Sequence, residues 1–130
     1  MYNPFFKPRN VSIMVTIYHN PRCSKSRQTL QLLEDSLSAE TQLDIVEYLK
    51  SPLDVEQLKN LTNLLNCSVR DIIRTSEADY KDNNLANKDL TDDELLSAMV
   101  EMPKLMQRPI VVNGQKAAIG RPPENVLELL

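Results

Sequence analysis

Cysteine and histidine are scarce in this chain of 130 residues, which holds two of the first and one of the second. Two cysteines far apart in sequence, Cys23 and Cys67, form no disulfide framework and suit a reducing compartment. One histidine beside two unclustered thiols also argues against a structural zinc site. Long apolar runs are missing: none approaches the roughly 20 residues that span a membrane. The N-terminus lacks the continuous apolar core of a signal peptide. An excess of one charge is absent too, and a net charge of −3 gives no signal for nucleic acid or a membrane surface. Repeats and low-complexity tracts do not occur. What remains, 42% apolar and 25% charged, is the composition of one ordinary globular domain. A cytoplasmic protein is expected.

The most informative stretch runs from Val15 to Leu30. Val15, Ile17 and His19 alternate with Thr16 and Tyr18, the period of a strand. Asn20-Pro21 breaks it, because proline has no N–H and restricts the residue before it. From Ser24 the pattern turns helical, with Leu30, Leu33 and Leu37 on one face. Cys23 thus stands where free backbone N–H groups and the positive end of a helix dipole converge. That setting favours thiolate and attracts anions. A lone cysteine is commonly a small buried hydrophobe, but Arg22, Lys25 and Arg27 make this segment basic, unlike a core.

Further along, Leu43, Ile45, Val46 and Tyr48 read as a second strand, parallel to the first through the crossover helix. Asp54 with Gln57 forms a capping box before the helical stripe Leu58, Leu61 and Leu65, which Asn66 ends. Ser68 with Asp71 opens a short helix through Ile72 and Ile73 to Arg74. Residues 75–89 are polar and aperiodic and read as loop. Thr91 and Glu94 cap a helix with Leu95, Leu96, Met99 and Val100, closed by Pro103. Asn113-Gly114 after Ile110, Val111 and Val112 predicts a hairpin with a type I′ turn, returning through residues 116–119. A last helix carries Val126, Leu129 and Leu130, with proline in its first turn. The expected class is α/β: β-α-β, a helical insertion, a β-hairpin and a C-terminal helix. Residues 1–13 show no period and read as a flexible N-terminal appendage, leaving residues 14–130 as the domain.

The run His19-Asn20-Pro21-Arg22-Cys23-Ser24-Lys25-Ser26-Arg27-Gln28-Thr29-Leu30 resembles the active-site signature H-N-P-x-C-x-x-S-R-x-T-L of glutaredoxin-coupled arsenate reductases. The similarity runs from about Met14 to about Leu130 and is nearest to the short branch of that family. The resemblance implies a thioredoxin-like fold and a reactive Cys23. It implies that Arg74, Arg108 and Arg121 bind the oxyanion, since the family places an arginine at each of those points. Guanidinium suits that task, because its planar fork donates paired hydrogen bonds and keeps its charge. Three cations near Cys23 would also lower its pKa. The fold's cis-proline corresponds to Pro109. His19 has two readings, a hydrogen bond that shapes the loop or a direct electrostatic effect on Cys23. Asn20 and Ser26 are candidates for orienting the loop and its anion. Cys67 matches no catalytic position and reads as packing.

By this resemblance the protein converts arsenate to arsenite through an adduct on Cys23. Position 26 is serine, so no resolving cysteine is near, and glutathione as co-substrate with glutaredoxin as partner would regenerate the thiol. No bound cofactor or metal, no nucleic acid, no membrane and a monomeric state are expected. Two other readings stand beside it. One is a general thiol oxidoreductase acting on glutathionylated proteins. The other is a non-enzymatic, redox-responsive transcription adaptor of the same superfamily, which typically carries Cys-x-x-Cys where this chain has Cys23-Ser24-Lys25-Ser26. Phosphatase-like arsenate reductases are excluded, since they need Cys-x5-Arg and position 29 is threonine.

Overall fold

The computed structural model of the chain describes residues 13–130. The expected appendage, residues 1–13, lies outside that range except for Ile13. Strand β1 (Ile13–His19) leads into helix α1 (Ser24–Ser36), which returns the chain to β2 (Thr41–Glu47). β2 pairs in parallel with β1, from Ile13↔Thr41 to His19↔Glu47. A helical insertion follows: α2 (Val55–Leu65), a 3₁₀ turn (Val69–Ile72), α3 (Ala78–Asp82), α4 (Asp92–Glu101) and a second 3₁₀ turn (Pro103–Leu105). Strands β3 (Ile110–Asn113) and β4 (Lys116–Ile119) and a final 3₁₀ helix (Pro123–Leu129) complete it. The sheet order is β2-β1-β3-β4, with β3 antiparallel to β1. This is the thioredoxin-like arrangement.

Strand alternation divides the apolar residues between two layers. On one face Val15, Ile17 and Val111 pack with Leu33 of α1 and with Val126 and Leu129 of the final helix. On the other, Tyr18, Ile110 and Val112 meet α2, α4 and the turns between them. Leu33 is fully buried, so its truncation to alanine should cost about 2–5 kcal/mol. The capping boxes at Asp54/Gln57 and Thr91/Glu94 form as expected, and Asn66 ends α2 in the left-handed region at φ 54°. Among the described residues, no helix is long and apolar enough to cross a membrane.

Four local readings need correction. Residues 75–89 are not all loop: they contain α3, and Leu85 is buried. Arg70 fastens this stretch by donating to the carbonyls of Leu85 and Asn87 at 2.9 and 2.8 Å. A helix of five residues is too short to print a period in sequence. The hairpin turn is not type I′, because Asn113 belongs to β3 and pairs with Lys116. The central residues are Gly114 and Gln115, and of the two only the glycine has positive φ (62°), the signature of type II′. Asn113 instead donates its side-chain amide to the Leu129 carbonyl at 2.6 Å and so ties the final helix to the sheet. The helix from Ser68 is a 3₁₀ turn. The last helix is also 3₁₀, and Leu130 projects into solvent instead of joining the core.

Candidate active site

Parallel pairing of β1 and β2 ends at His19↔Glu47, so Asn20 and Tyr48 leave the sheet side by side. Antiparallel pairing sets Tyr18 opposite Ile110, which brings Arg108 and Pro109 to the same edge. One end of the sheet therefore carries the Asn20–Cys23 loop, Tyr48 and Arg108. The Arg108–Pro109 peptide is cis, as expected, and so is Arg121–Pro122.

The loop is pinned from within. The Cys23 N–H donates to the Asn20 carbonyl at 3.0 Å. The Arg22 N–H donates to the Asn20 side-chain oxygen at 3.0 Å, and the Arg27 guanidinium to the Pro21 carbonyl at 2.9 Å. Ser26 is fully buried; its hydroxyl accepts from the Asn20 N–H at 3.0 Å and meets His19 Nδ1 at 2.6 Å. Burial lowers the His19 pKa, against the opposing pull of Glu47. A neutral imidazole brings no charge to the thiol, and the geometry of His19 is that of a hydrogen bond shaping the loop. Asn20 and Ser26 belong to the same network.

Cys23 is the N-cap residue of α1 and is nearly buried. Its pKa is lowered to about 7. Burial alone would raise it; the Arg108 guanidinium, the Ser26 backbone N–H and the Arg121 guanidinium outweigh that cost. Arg121 Nη1 lies 3.9 Å from Cys23 Sγ and also donates to the Arg108 carbonyl at 3.0 Å. Gly120 makes this approach possible. A Cβ there would stand 2.6 Å from Thr29 Oγ1 and 2.8 Å from Pro109 Cγ, so only glycine lets β4 press against α1 and deliver Arg121 to the thiol.

Arg74 occupies a different place from the other two arginines. An antiparallel bridge between Ile73 and Met106 sets Arg74 opposite Leu105, on the segment that leads into Arg108. The Arg74 N–H donates to the Leu105 carbonyl and the Gln107 N–H to that of Ile72, both at 2.7 Å. Its side chain pairs with Glu77, Nε to Oε2 at 3.3 Å, and the same oxygen lies 3.8 Å from Arg108 Nη1. Arg108 and Arg121 thus gather at Cys23, whereas Arg74 reaches the site through a shared carboxylate. All three side chains of the Arg74–Glu77–Arg108 cluster are mostly buried.

Two residues of this end of the sheet had no place in the sequence reading of the site. Glu77 fell in the segment read as loop, although its spacing of three from Arg74 is that of a helical ion pair. Tyr48 read only as a strand residue. Its ring is 1% exposed, and its hydroxyl, like Arg108 Nε, is buried with no hydrogen-bond partner. Cys67 stands apart: burial and then the Asp71 carboxylate push its pKa up.

Comparison with known proteins agrees with this architecture. The family model described as "ArsC family" matches residues 18–129. A Haemophilus influenzae protein named arsenate reductase is 49% identical over 117 residues, 89% of this chain and 98% of that protein. The Escherichia coli protein YfgD, described as uncharacterized, is 50% identical over 117 residues, 89% of this chain and 96% of its own. A solved structure, that of arsenate reductase from Vibrio cholerae, superposes with a TM-score of 0.86 at 47% identity, covering 92% of this chain and 100% of that one.

Proposed function

The chain belongs to the ArsC family, and from that membership and the setting of Cys23 we propose that it is a thiol-dependent arsenate reductase. The observation that carries the reading is a thiol with a pKa of about 7, with Arg121 at 3.9 Å and Arg108 beside it. A thiolate nucleophile and a tetrahedral anion need the same cations, and this site supplies both from one pair of guanidiniums.

In the first step the Cys23 thiolate attacks arsenic of hydrogen arsenate. The S–As bond forms, an As–O bond breaks, and one proton lets the oxygen leave as water; arsenic stays pentavalent. In the second, the thiol of glutathione attacks Cys23 Sγ. The S–As electron pair passes to arsenic, which departs, with two further protons from water, as trivalent arsenous acid. Cys23 and glutathione are left as a mixed disulfide. In the third, a glutaredoxin thiolate takes the glutathione and frees Cys23. The two reducing electrons come from the two sulfurs, so no bound metal or flavin enters this scheme. Serine at position 26 supports an external resolving thiol.

The test is a coupled assay with glutathione and glutaredoxin, run on arsenate and on a small glutathione mixed disulfide. Arsenite should appear and should require Cys23. Turnover of the mixed disulfide with no arsenite formed would assign a general thiol oxidoreductase instead. No turnover of either, with tight binding to a large protein partner, would assign the adaptor.

A further inference from the structure

The orphaned hydroxyl of Tyr48 is the least comfortable polar group at this end of the sheet. Tyr48 is 1% exposed, and its phenolic oxygen is shielded from solvent with no partner at full hydrogen-bond geometry, the Asn20 side chain being the polar group that approaches it. The ring packs among Leu53, Leu58, Met99 and Met106, a setting in which phenylalanine would serve as well. Buried hydroxyls normally find partners, and one left without carries the cost of lost hydration. Arg108 Nε, a second buried donor, is unpartnered as well. Both belong to the sheet end that carries Cys23, since Tyr48 follows the His19↔Glu47 pair and Arg108 stands two residues before Ile110, the partner of Tyr18.

We infer that Tyr48 is a catalytic residue of the arsenate step, its hydroxyl donating to the substrate oxygen that leaves arsenic as Cys23 attacks. The inference rests on the reading of the site as an arsenate reductase. The step needs one proton on the departing oxygen. His19 is committed to Ser26, and guanidiniums do not release protons near neutral pH. Burial, opposed by Arg108 and the nearby Asn20 side chain, raises the Tyr48 pKa, so the phenol holds its proton until a strongly basic oxygen forms beside it. As the As–O bond breaks, that proton passes to the leaving oxygen and water departs; the positive charge of Arg108 stabilises the phenolate until a water that enters as the product leaves returns the proton. Two buried donors held without partners at the sheet end that carries Cys23 are groups an incoming anion could use without reorganisation.

Tyr48→Phe decides the matter, because it deletes the hydroxyl and keeps the ring. Arsenate turnover should fall about 10- to 1,000-fold, the scale of losing one oxyanion donor. Protection of Cys23 from iodoacetamide by arsenate should weaken about 10- to 100-fold, as for a hydrogen bond to a charged group. Exchange with a glutathione mixed disulfide and the pH midpoint of Cys23 alkylation should stay as in the wild type. The melting temperature should hold or rise, since an unpartnered buried hydroxyl is gone. Unchanged arsenate turnover overturns the inference, as does equal loss of both activities, an upward shift of the alkylation midpoint, or a drop of several degrees in melting. Should the wild type form no arsenite, the functional reading fails and the protection measurement alone judges Tyr48. Weaker protection in the variant then upholds its contact with the anion, and equal or absent protection refutes it.

Discussion

Each cysteine sits at the entrance to a helix: Cys23 caps α1, and Cys67 lies one residue before Ser68, which caps the 3₁₀ turn Val69–Ile72. Burial pushes both thiols up, yet one ends near 7 and the other above its ordinary value. Beside Cys23 stand Arg108 and Arg121; beside Cys67 stands Asp71, whose carboxylate accepts from the Ser68 N–H and hydroxyl at 3.0 Å. The backbone of a helix start, which at Cys23 adds the Ser26 N–H, is therefore not enough by itself to make a cysteine reactive in this protein. The side chains that other elements bring to it decide the outcome.

The most severe way to probe that contrast is to remove each sulfur. Cys23→Ser should abolish arsenate reduction and mixed-disulfide exchange alike, while Cys67→Ser should leave both rates at the wild-type value, as read in the coupled assay. Next in size are the cations. Arg108→Ala and Arg121→Ala should each lower arsenate turnover about 10- to 1,000-fold. They should also move the Cys23 alkylation midpoint above about 7, with mixed-disulfide exchange much less affected. Arg121→Lys should recover only part of the loss, because ammonium keeps the charge without the paired donors.

A smaller change should narrow the contrast from the other side. Asp71→Asn removes the charge that disfavours the Cys67 thiolate and keeps an acceptor for Ser68. The Cys67 alkylation midpoint should fall yet stay above that of Cys23, because burial is the larger cause of its shift. The smallest effect belongs to Glu77, which shares its carboxylate between Arg74 and Arg108. Glu77→Gln frees positive field for the anion. Arsenate should protect Cys23 about two- to fivefold better, the scale of a partly screened ion pair.

Local chemistry was legible in the sequence wherever neighbours in the chain settle the structure. The strand–loop–helix around Cys23, the capping boxes at Asp54 and Thr91 and the αL end of α2 at Asn66 all follow from residues within four positions of one another. The hairpin was legible in place but not in register, since Asn113 answers to the Leu129 carbonyl, 16 residues away. Resemblance, and not periodicity, singled out Arg74, Arg108 and Arg121. Only the fold distinguishes Arg121, which touches Cys23, from Arg74, which touches Glu77. Tyr48 and Glu77 escaped because nothing in a sequence marks a hydroxyl that will be buried without a partner, or a carboxylate that will lie between two arginines.

Arg108 and Arg121 make Cys23 the reactive, anion-directed thiol. Alkylation of both cysteines in the native protein, followed site by site across pH with and without arsenate, measures that claim directly. Cys23 should label with a midpoint of about 7, suppressed by arsenate, and Cys67 should label slowly with a higher midpoint that arsenate does not change. Preferential labelling of Cys67, or Cys23 labelling that is indifferent to arsenate, would contradict it.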